Sequence, residues 1–358
     1  MMIENEELGR NYDYKHPSRG FFRGSTASLV RELAATPAFV RLSDIRFLGA
    51  IDYALIKQPN GYSTNRRYTR HEHSLGVAAL ADYFCDLADL PARSRNLIVA
   101  AALLHDLGHS PLSHSVEPVF KRLFGLDHHL MTERLIRGEA ALSFEIPAIL
   151  SRHGIDAGEV LAVLDGRRLG EGGFFAGPIN FDTIEGISRS LAYARPRRHS
   201  SHPRSVVRSS ALRLSTRDRM VVDDFWMNKD NAYLSIINSN MGAVADEAAR
   251  LVLIEREDAL SEADFLLGEA GLFGKFPLLR KVVSSGQACA AFVAERRPQI
   301  QVTRRRFFID EGVDFASRDD RRRYLQSKRA ATLTVQSIID EPSHNASLAW
   351  TEIAQGDC

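Results

Sequence analysis

LLHDLGHSPLSH, at residues 103–114, is the stretch on which the reading of this chain turns. It closes an apolar run, Leu97–Leu104, whose alanines and preceding charged segment PARSRN favour a buried helix over a strand. At the end of that run stand an adjacent imidazole and carboxylate, His105 and Asp106. Burying such a pair is costly unless something compensates it, and a metal ion is one such compensation. His105 and His109 are four apart, so they share a face if the helix continues that far. Gly108, Ser110 and Pro111 break the helix and leave room for a ligand. Upstream lies a second histidine-bearing stretch, RHEHSLGV at 70–77, and seven of the twelve histidines fall between Arg70 and His129. A lone His-Asp dipeptide reads as well as an ion pair or a capped helix end. Only the combination points to chemistry.

Helical spacing dominates the remainder. Leu29, Leu33, Phe39, Leu42, Ile45 and Leu48 recur at near-helical intervals over 25–53, interrupted at Pro37. Residues 58–67 read as a turn-rich loop that delivers Arg70 and His73, and 74–90 as a helix. Another helix is expected over 113–124, with Pro118 near its start. Asp127 reads as the N-cap of a helix opening at His128, Pro147 as the first position of one over 147–153, and Asp156 as the start of one over 157–164. The glycine-rich 167–177 reads as a loop and 181–193 as a helix opening with Asp182. The Ser- and Arg-rich 196–217 reads as a mobile loop, 226–267 returns to helical pattern, and 298–316 carries the one convincing strand alternation. The expectation is a mostly α fold: a loose arm over 1–24, a helical domain over 25–290, and a small α+β region over 291–358 whose last fifteen residues fray.

Taken together, R-x-E-H-S-L-G, the His-Asp pair, L-G-H-S-P-L-S-H and a later aspartate in N-F-D resemble the HD superfamily of metal-dependent phosphohydrolases. Within it the chain is most similar to the deoxynucleoside triphosphate triphosphohydrolases, from about residue 39 to 195 and more faintly to about 329. The resemblance implies an HD-domain helical bundle and one divalent ion held by His73, His105, Asp106 and Asp182, which match the superfamily's H…HD…D pattern. Two imidazoles and two carboxylates suit Mn, Fe, Co, Ni or Zn better than Mg. It also implies phosphate contact or proton transfer by His109, His114 and His128, each of which, taken singly, reads equally as a structural histidine. Arg70 and Arg189 match substrate-contacting arginines, with a salt bridge to Glu72 or another acid as the plainer reading of Arg70. Several positions depart from the pattern. Phe47 stands where the family has a glutamine that reads the sugar. Thr183, Gly186 and Ser190 replace a lysine, a tyrosine and an aspartate, and His129 replaces a glutamate. The metal set is kept while the nucleotide pocket is rebuilt.

Composition excludes little else. No apolar segment approaches the roughly 20 residues needed to span a bilayer, and the polar N-terminus lacks the apolar core of a signal peptide. Cys85, Cys289 and Cys358 are scattered, with neither disulfide nor zinc spacing, so a cytoplasmic setting is expected. The net charge of +1 hides a local imbalance: Arg189 to Arg219 contains nine arginines against Asp218 alone, with further basic runs at 304–306 and 321–323. Such runs are either solvated faces or phosphate-binding surfaces. The expected partner is a nucleotide or single-stranded nucleic acid as substrate, with no membrane, and the family implies a homo-oligomer. Two alternatives remain open. One is a non-catalytic nucleic-acid-binding protein. The other is an HD-type diiron oxygenase in which His109, His128 and His129 help hold a second ion.

Overall fold

The helix Ala92–Leu104 is the centre of the molecule: from Asn96 to Leu104 every residue is buried, and all eight from Leu97 onward have no exposed surface. A helix apolar all round must be covered on every side. Its companion, Arg70–Leu87, starts at Arg70 because a capping box closes there. The Thr69 side chain accepts from Glu72 N, and the Glu72 carboxylate accepts from Thr69 N at 2.9 Å. Arg70 and His73 thus sit on the first turn of this helix, which begins four residues ahead of the expected start. The computed structural model describes residues 22–55, 68–167, 175, 177–194, 202–212, 216–314, 322–336 and 351–352. Sixteen α-helices fall among the described residues. The mostly α fold expected from the sequence is the one observed.

Local capping logic holds elsewhere. Asp127 caps His128–Ile136 by accepting from Leu130 N, and Asp156 caps Ala157–Leu164 through its own capping box. Pro147 lies in the first turn of Ile146–Arg152. Two expectations around the His-Asp pair need correction. The central helix ends at Leu104, so His105 and His109 do not share a helical face; a tight turn, closed by His109 N donating to Asp106 O, brings them together instead. Residues 113–124 are not one helix. Leu112 and Ser113 have positive φ, which turns the chain through a short 3-10 segment, Ser113–Ser115, before Glu117–Phe124 begins with Pro118 in its first turn.

The stretch 196–217, read as a mobile loop, contains the helix Pro203–Leu212, while 195–201 and 213–215 lie outside the described residues. Val206, Val207, Ser209 and Ser210 supply its buried face, a spacing that the arginines obscure. The arm over 1–21 and the loop over 58–67 also lie outside the described residues, as do 168–174 and 176.

At the C-terminal end, β1 (Gln299–Ile309) and β2 (Tyr324–Thr334) pair antiparallel from Gln299↔Thr334 to Ile309↔Tyr324. The expected alternation is present in β1, where Ile300 and Val302 are buried; β2, where Ala331 and Leu333 are buried, was not expected as a strand. The ribbon rests on the helix Thr216–Ala232, where Trp226 Nε1 donates to Phe308 O and the Trp226 ring packs edge-on to Phe307. Thr351–Glu352 pairs with β2 as β3, so this part of the tail expected to fray is strand.

Candidate active site

Three helix ends converge on one point. The Arg70–Leu87 helix brings His73 on its first turn, the central helix ends into His105 and Asp106, and the helix Phe181–Ala194 brings Asp182. Asn180 fixes the start of the last by accepting from Thr183 N at 2.7 Å. His73 Nε2 lies 3.0 Å from Asp182 Oδ1 and 3.5 Å from Asp106 Oδ2. His105 Nε2 lies 3.5 Å from Asp106 Oδ1 and 3.7 Å from Asp182 Oδ1. Ligands about 2.0–2.2 Å from a common ion are spaced about 3 Å apart when they meet at right angles.

Two further observations fit a metal. Each histidine has its other ring nitrogen already engaged: His73 Nδ1 is 2.5 Å from Glu185 Oε2, and His105 Nδ1 donates to Ala102 O at 2.8 Å. That is the usual way in which ligating imidazoles are oriented. His105 Nε2, buried, meets no hydrogen-bond partner among the described residues. The electrostatics agree. Burial opposes charge on His105, but Asp106 and Asp182 push its imidazole up to about 9. Burial likewise resists ionisation of Asp106, yet His105, His109 and Arg70 hold its carboxyl well below the usual range. The cluster demands positive charge.

Around it lie the other predicted residues. Arg70, buried, donates from Nη1 to Asp106 Oδ2 at 2.6 Å and from Nε to Ser113 Oγ at 3.1 Å; the salt bridge of the plainer reading is thus present, made to Asp106 of the cluster. Phe47 packs 4.8 Å from the His73 ring, and the Arg70 guanidinium lies 5.0 Å from its centroid. A Cβ at Gly186 would come 3.4 Å from Phe47 Cζ and 3.7 Å from His73 Cε1, so a side chain at 186 would pack directly against Phe47. His109 and His128 stack at 4.5 Å, and His114 meets both edge-on at 4.7 and 5.0 Å. Glu117 joins them, with Oε2 2.6 Å from His128 Nδ1 and Oε1 3.7 Å from His114 Nδ1. Although burial raises it, the Glu117 carboxyl is held far below its usual range by these two imidazoles. One ligand atom from each of His109, His114, Glu117 and His128 lies within 4.8 Å of the others.

A cavity of about 280 Å³ opens on this assembly, lined by Phe47, Arg70, Asp106, His114, His128 and Asp182 among others. A second, of about 510 Å³, meets the same Asp106, His128 and Asp182 from the side of His105 and His129. Arg189 lines neither. It is fully buried behind His73, where it donates to Glu185 and to Glu72 O. His109 is also fully buried, with Nε2 3.2 Å from Asp106 Oδ1.

Against known proteins, residues 70–172 match the model of the HD domain family. This chain carries an HD domain. Its His73, His105 and Asp106 fall inside the matched span, and Asp182 lies just beyond it. An uncharacterized protein of Bacillus subtilis, YwfO, is 31% identical over 169 residues, covering 45% of this chain and 36% of that protein. A deoxyguanosinetriphosphate triphosphohydrolase-like protein of Desulfatibacillum aliphaticivorans is 35% identical over 115 residues, covering 28% of this chain and 32% of that protein. The matches thus span about a third of these relatives. A phosphohydrolase crystal structure from Bacteroides thetaiotaomicron superposes with a TM-score of 0.56 at 14% identity, covering 79% of this chain and 76% of that one. Its likeness is one of fold. The resemblance to HD-superfamily phosphohydrolases read from the motifs is borne out. Among the described residues, no helix is long and apolar enough to cross a membrane.

The site also contains partners that motif reading passed over. Glu185 was signalled only by helical spacing, three residues after Asp182 and four before Arg189, on one face. Glu117 follows His114 by one turn. Lys229 and Asp246, which line the smaller cavity from later helices, had no local signal.

Proposed function

We propose that this HD protein is a metal-dependent phosphohydrolase acting on a nucleotide or nucleic-acid phosphoester. The observation that carries the reading is the convergence of His73, His105, Asp106 and Asp182 at the wall of a cavity that Arg70 also enters. These four residues would hold one divalent ion, Mn, Fe, Co, Ni or Zn before Mg, which supplies Lewis acidity and a nucleophile usable at neutral pH. Arg70 spends Nε and Nη1 on Ser113 and Asp106, and its remaining donors are left for a phosphate oxygen. Glu117 holds His128 by Nδ1, which fixes Nε2 as the nitrogen that exchanges a proton with the departing oxygen. His114, half-exposed in the same cavity, is the second proton carrier. His109 orients Asp106 and does not reach the substrate. In this reading Arg189 acts on the substrate only through Glu185 and His73. The apolar wall at Phe47 discriminates sugars weakly, so both ribo- and deoxy-substrates, modified nucleotides and strand ends are accepted. Cytoplasmic residence and a homo-oligomeric state belong to the same proposal.

The grouping of His109, His114, Glu117 and His128 favours one further variant, a second ion and with it diiron oxygenase chemistry. Metal analysis showing two irons per chain would support that variant. The primary test is turnover by protein loaded with each metal, against ribo- and deoxynucleoside phosphates and short single strands, with products read by mass. Absence of phosphoester or phosphoanhydride cleavage under every metal would end the reading.

A further inference from the structure

Glu269 opens the helix Glu269–Lys275, remote in sequence from every motif of the site. Its carboxylate is buried, and Oε1 accepts from two backbone donors on distant segments, Arg46 N at 2.8 Å and Leu112 N at 3.3 Å. Oε2 accepts from Tyr53 Oη. Burial disfavours the charge and pushes this carboxyl up to about 7, so keeping a carboxylate here is costly. Leu112 and Ser113 both have positive φ, 61° and 50°, which non-glycine residues keep only where their surroundings fix them. Their turn lies hard against the segment after Arg46, since a Cβ at Gly49 would come 2.2 Å from Leu112 O. Across the same junction Ser113 Oγ donates to Arg46 O at 3.0 Å and accepts from Arg70 Nε at 3.1 Å. The Arg46 backbone is thus held at N by Glu269 and at O by Ser113, and the hydroxyl that holds it also holds Arg70.

We propose that Glu269 is a positioning residue for this site: by clamping the Arg46 and Leu112 amides on one oxygen it fixes the Leu112–Ser113 turn and, through Ser113 Oγ, the direction of the Arg70 guanidinium. Glu269 does not line the cavity, so it acts on Arg70 and not on a substrate. The guanidinium fork binds through directed N–H groups, so its aim decides what its remaining donors can reach. The proposal rests on the phosphohydrolase reading only for the ligand that Arg70 meets, and its test can be separated from that reading.

The experiment follows solvent exchange of the Arg70 Nε–H by NMR in zinc-loaded, arginine-labelled full-length protein, the signal being the one lost in Arg70→Lys. Ser113→Ala should speed that exchange at least about tenfold, the scale of one charge-assisted hydrogen bond. Glu269→Met, which removes the acceptor, should do the same, while Glu269→Gln, whose amide oxygen can still take both backbone donors, should stay within about threefold of wild type. The double variant Glu269→Met with Ser113→Ala should exchange no faster than the faster single variant, because both act through one hydroxyl. Leu272→Ala, from the same helix, controls for mere loss of stability, read by thermal melts. If Glu269→Met leaves the exchange unchanged, or if Leu272→Ala speeds it as much, Glu269 only supports the fold and the proposal is wrong. Should Glu269→Met fail to fold, Glu269→Asp, one methylene shorter, carries the same expectation and the same refutation. Orthophosphate is titrated into the same proteins by calorimetry, where Glu269→Met should weaken binding by about 3–10-fold and Glu269→Gln by no more than about twofold. Exchange that responds in a protein that binds no orthophosphate would overturn the phosphate-binding reading alone. Orthophosphate binding with unresponsive exchange would overturn the role of Glu269 alone.

Discussion

Glu185→Gln tests whether the buried support behind the metal cluster is a working part of it. Glu185 is fully buried, accepts from His73 Nδ1, and is paired with the equally buried Arg189. Glutamine keeps the shape and removes the charge. Two separate losses follow, and their sizes differ. Depriving a buried guanidinium of its carboxylate costs about 3–5 kcal/mol, and the retained amide oxygen places the expectation near the lower end. Loosening the outer partner of a ligating histidine costs about 10–100-fold in metal affinity, equivalent to about 1.4–2.7 kcal/mol. Stability should therefore fall more than metal binding. Urea unfolding of metal-free protein measures the first, and manganese titration the second. The double variant Glu185→Gln with Arg189→Met separates them. Removing the cation should recover most of the stability, while His73 still faces a neutral amide in place of the carboxylate and the metal affinity stays low. If the double variant regains both, Glu185 acts only through Arg189, and the reasoning about His73 fails. If Glu185→Gln alone leaves manganese affinity unchanged, the cluster does not use His73 as described.

Glu269 offers a pH test. Burial, aided by Asp52, pushes its carboxyl up to about 7 from an ordinary 4.5, despite donation from Tyr53 Oη, Arg46 N and Leu112 N. A raised carboxyl pKa means that this group's contribution is full below about 4.5 and is lost as pH rises through 7, up to about 3 kcal/mol. Glu269→Gln should flatten that part of the stability–pH curve, and denaturant midpoints that track wild type across the window would contradict it. Gly108→Ala places a Cβ against the backbone of His128 and Thr132, so we expect about 1–3 kcal/mol of destabilisation in thermal melts; an unchanged Tm would show that this junction yields freely. His114→Ala and His128→Ala should each keep the metal and lose about 10²–10⁴ in rate. Metal analysis of the purified variants decides the matter, because a lost ion would make that histidine a ligand.

Much of the fold was legible because its signals are local. The all-buried run at 97–104, the Asp127 and Asp156 caps and the alternation at 299–309 each lie within a few residues of what they specify. The misreadings have equally physical origins. Arginines and serines over 203–212 mask a helix whose burial rests on Val206 and Val207. No residue type announces the positive φ at Leu112 and Ser113, since neither is glycine. In the site, the four proposed ligands could be named from their motifs, but their supports could not. Glu185 matters through a partner 112 residues away, and Lys229 through a carbonyl 51 residues away. Pairings of that reach are set by packing, and no spacing rule encodes them.

The fit of Phe47 against Gly186 has a consequence for how such a pocket can change. A Cβ at 186 would touch the Phe47 ring at 3.4 Å, an ordinary contact, so whatever stands at 186 packs directly against position 47 beside His73. What fits well at one position therefore depends on the bulk at the other. Such neighbours are non-additive. A move toward the glutamine–tyrosine arrangement therefore couples the two positions. Redesign toward that arrangement should change both positions together.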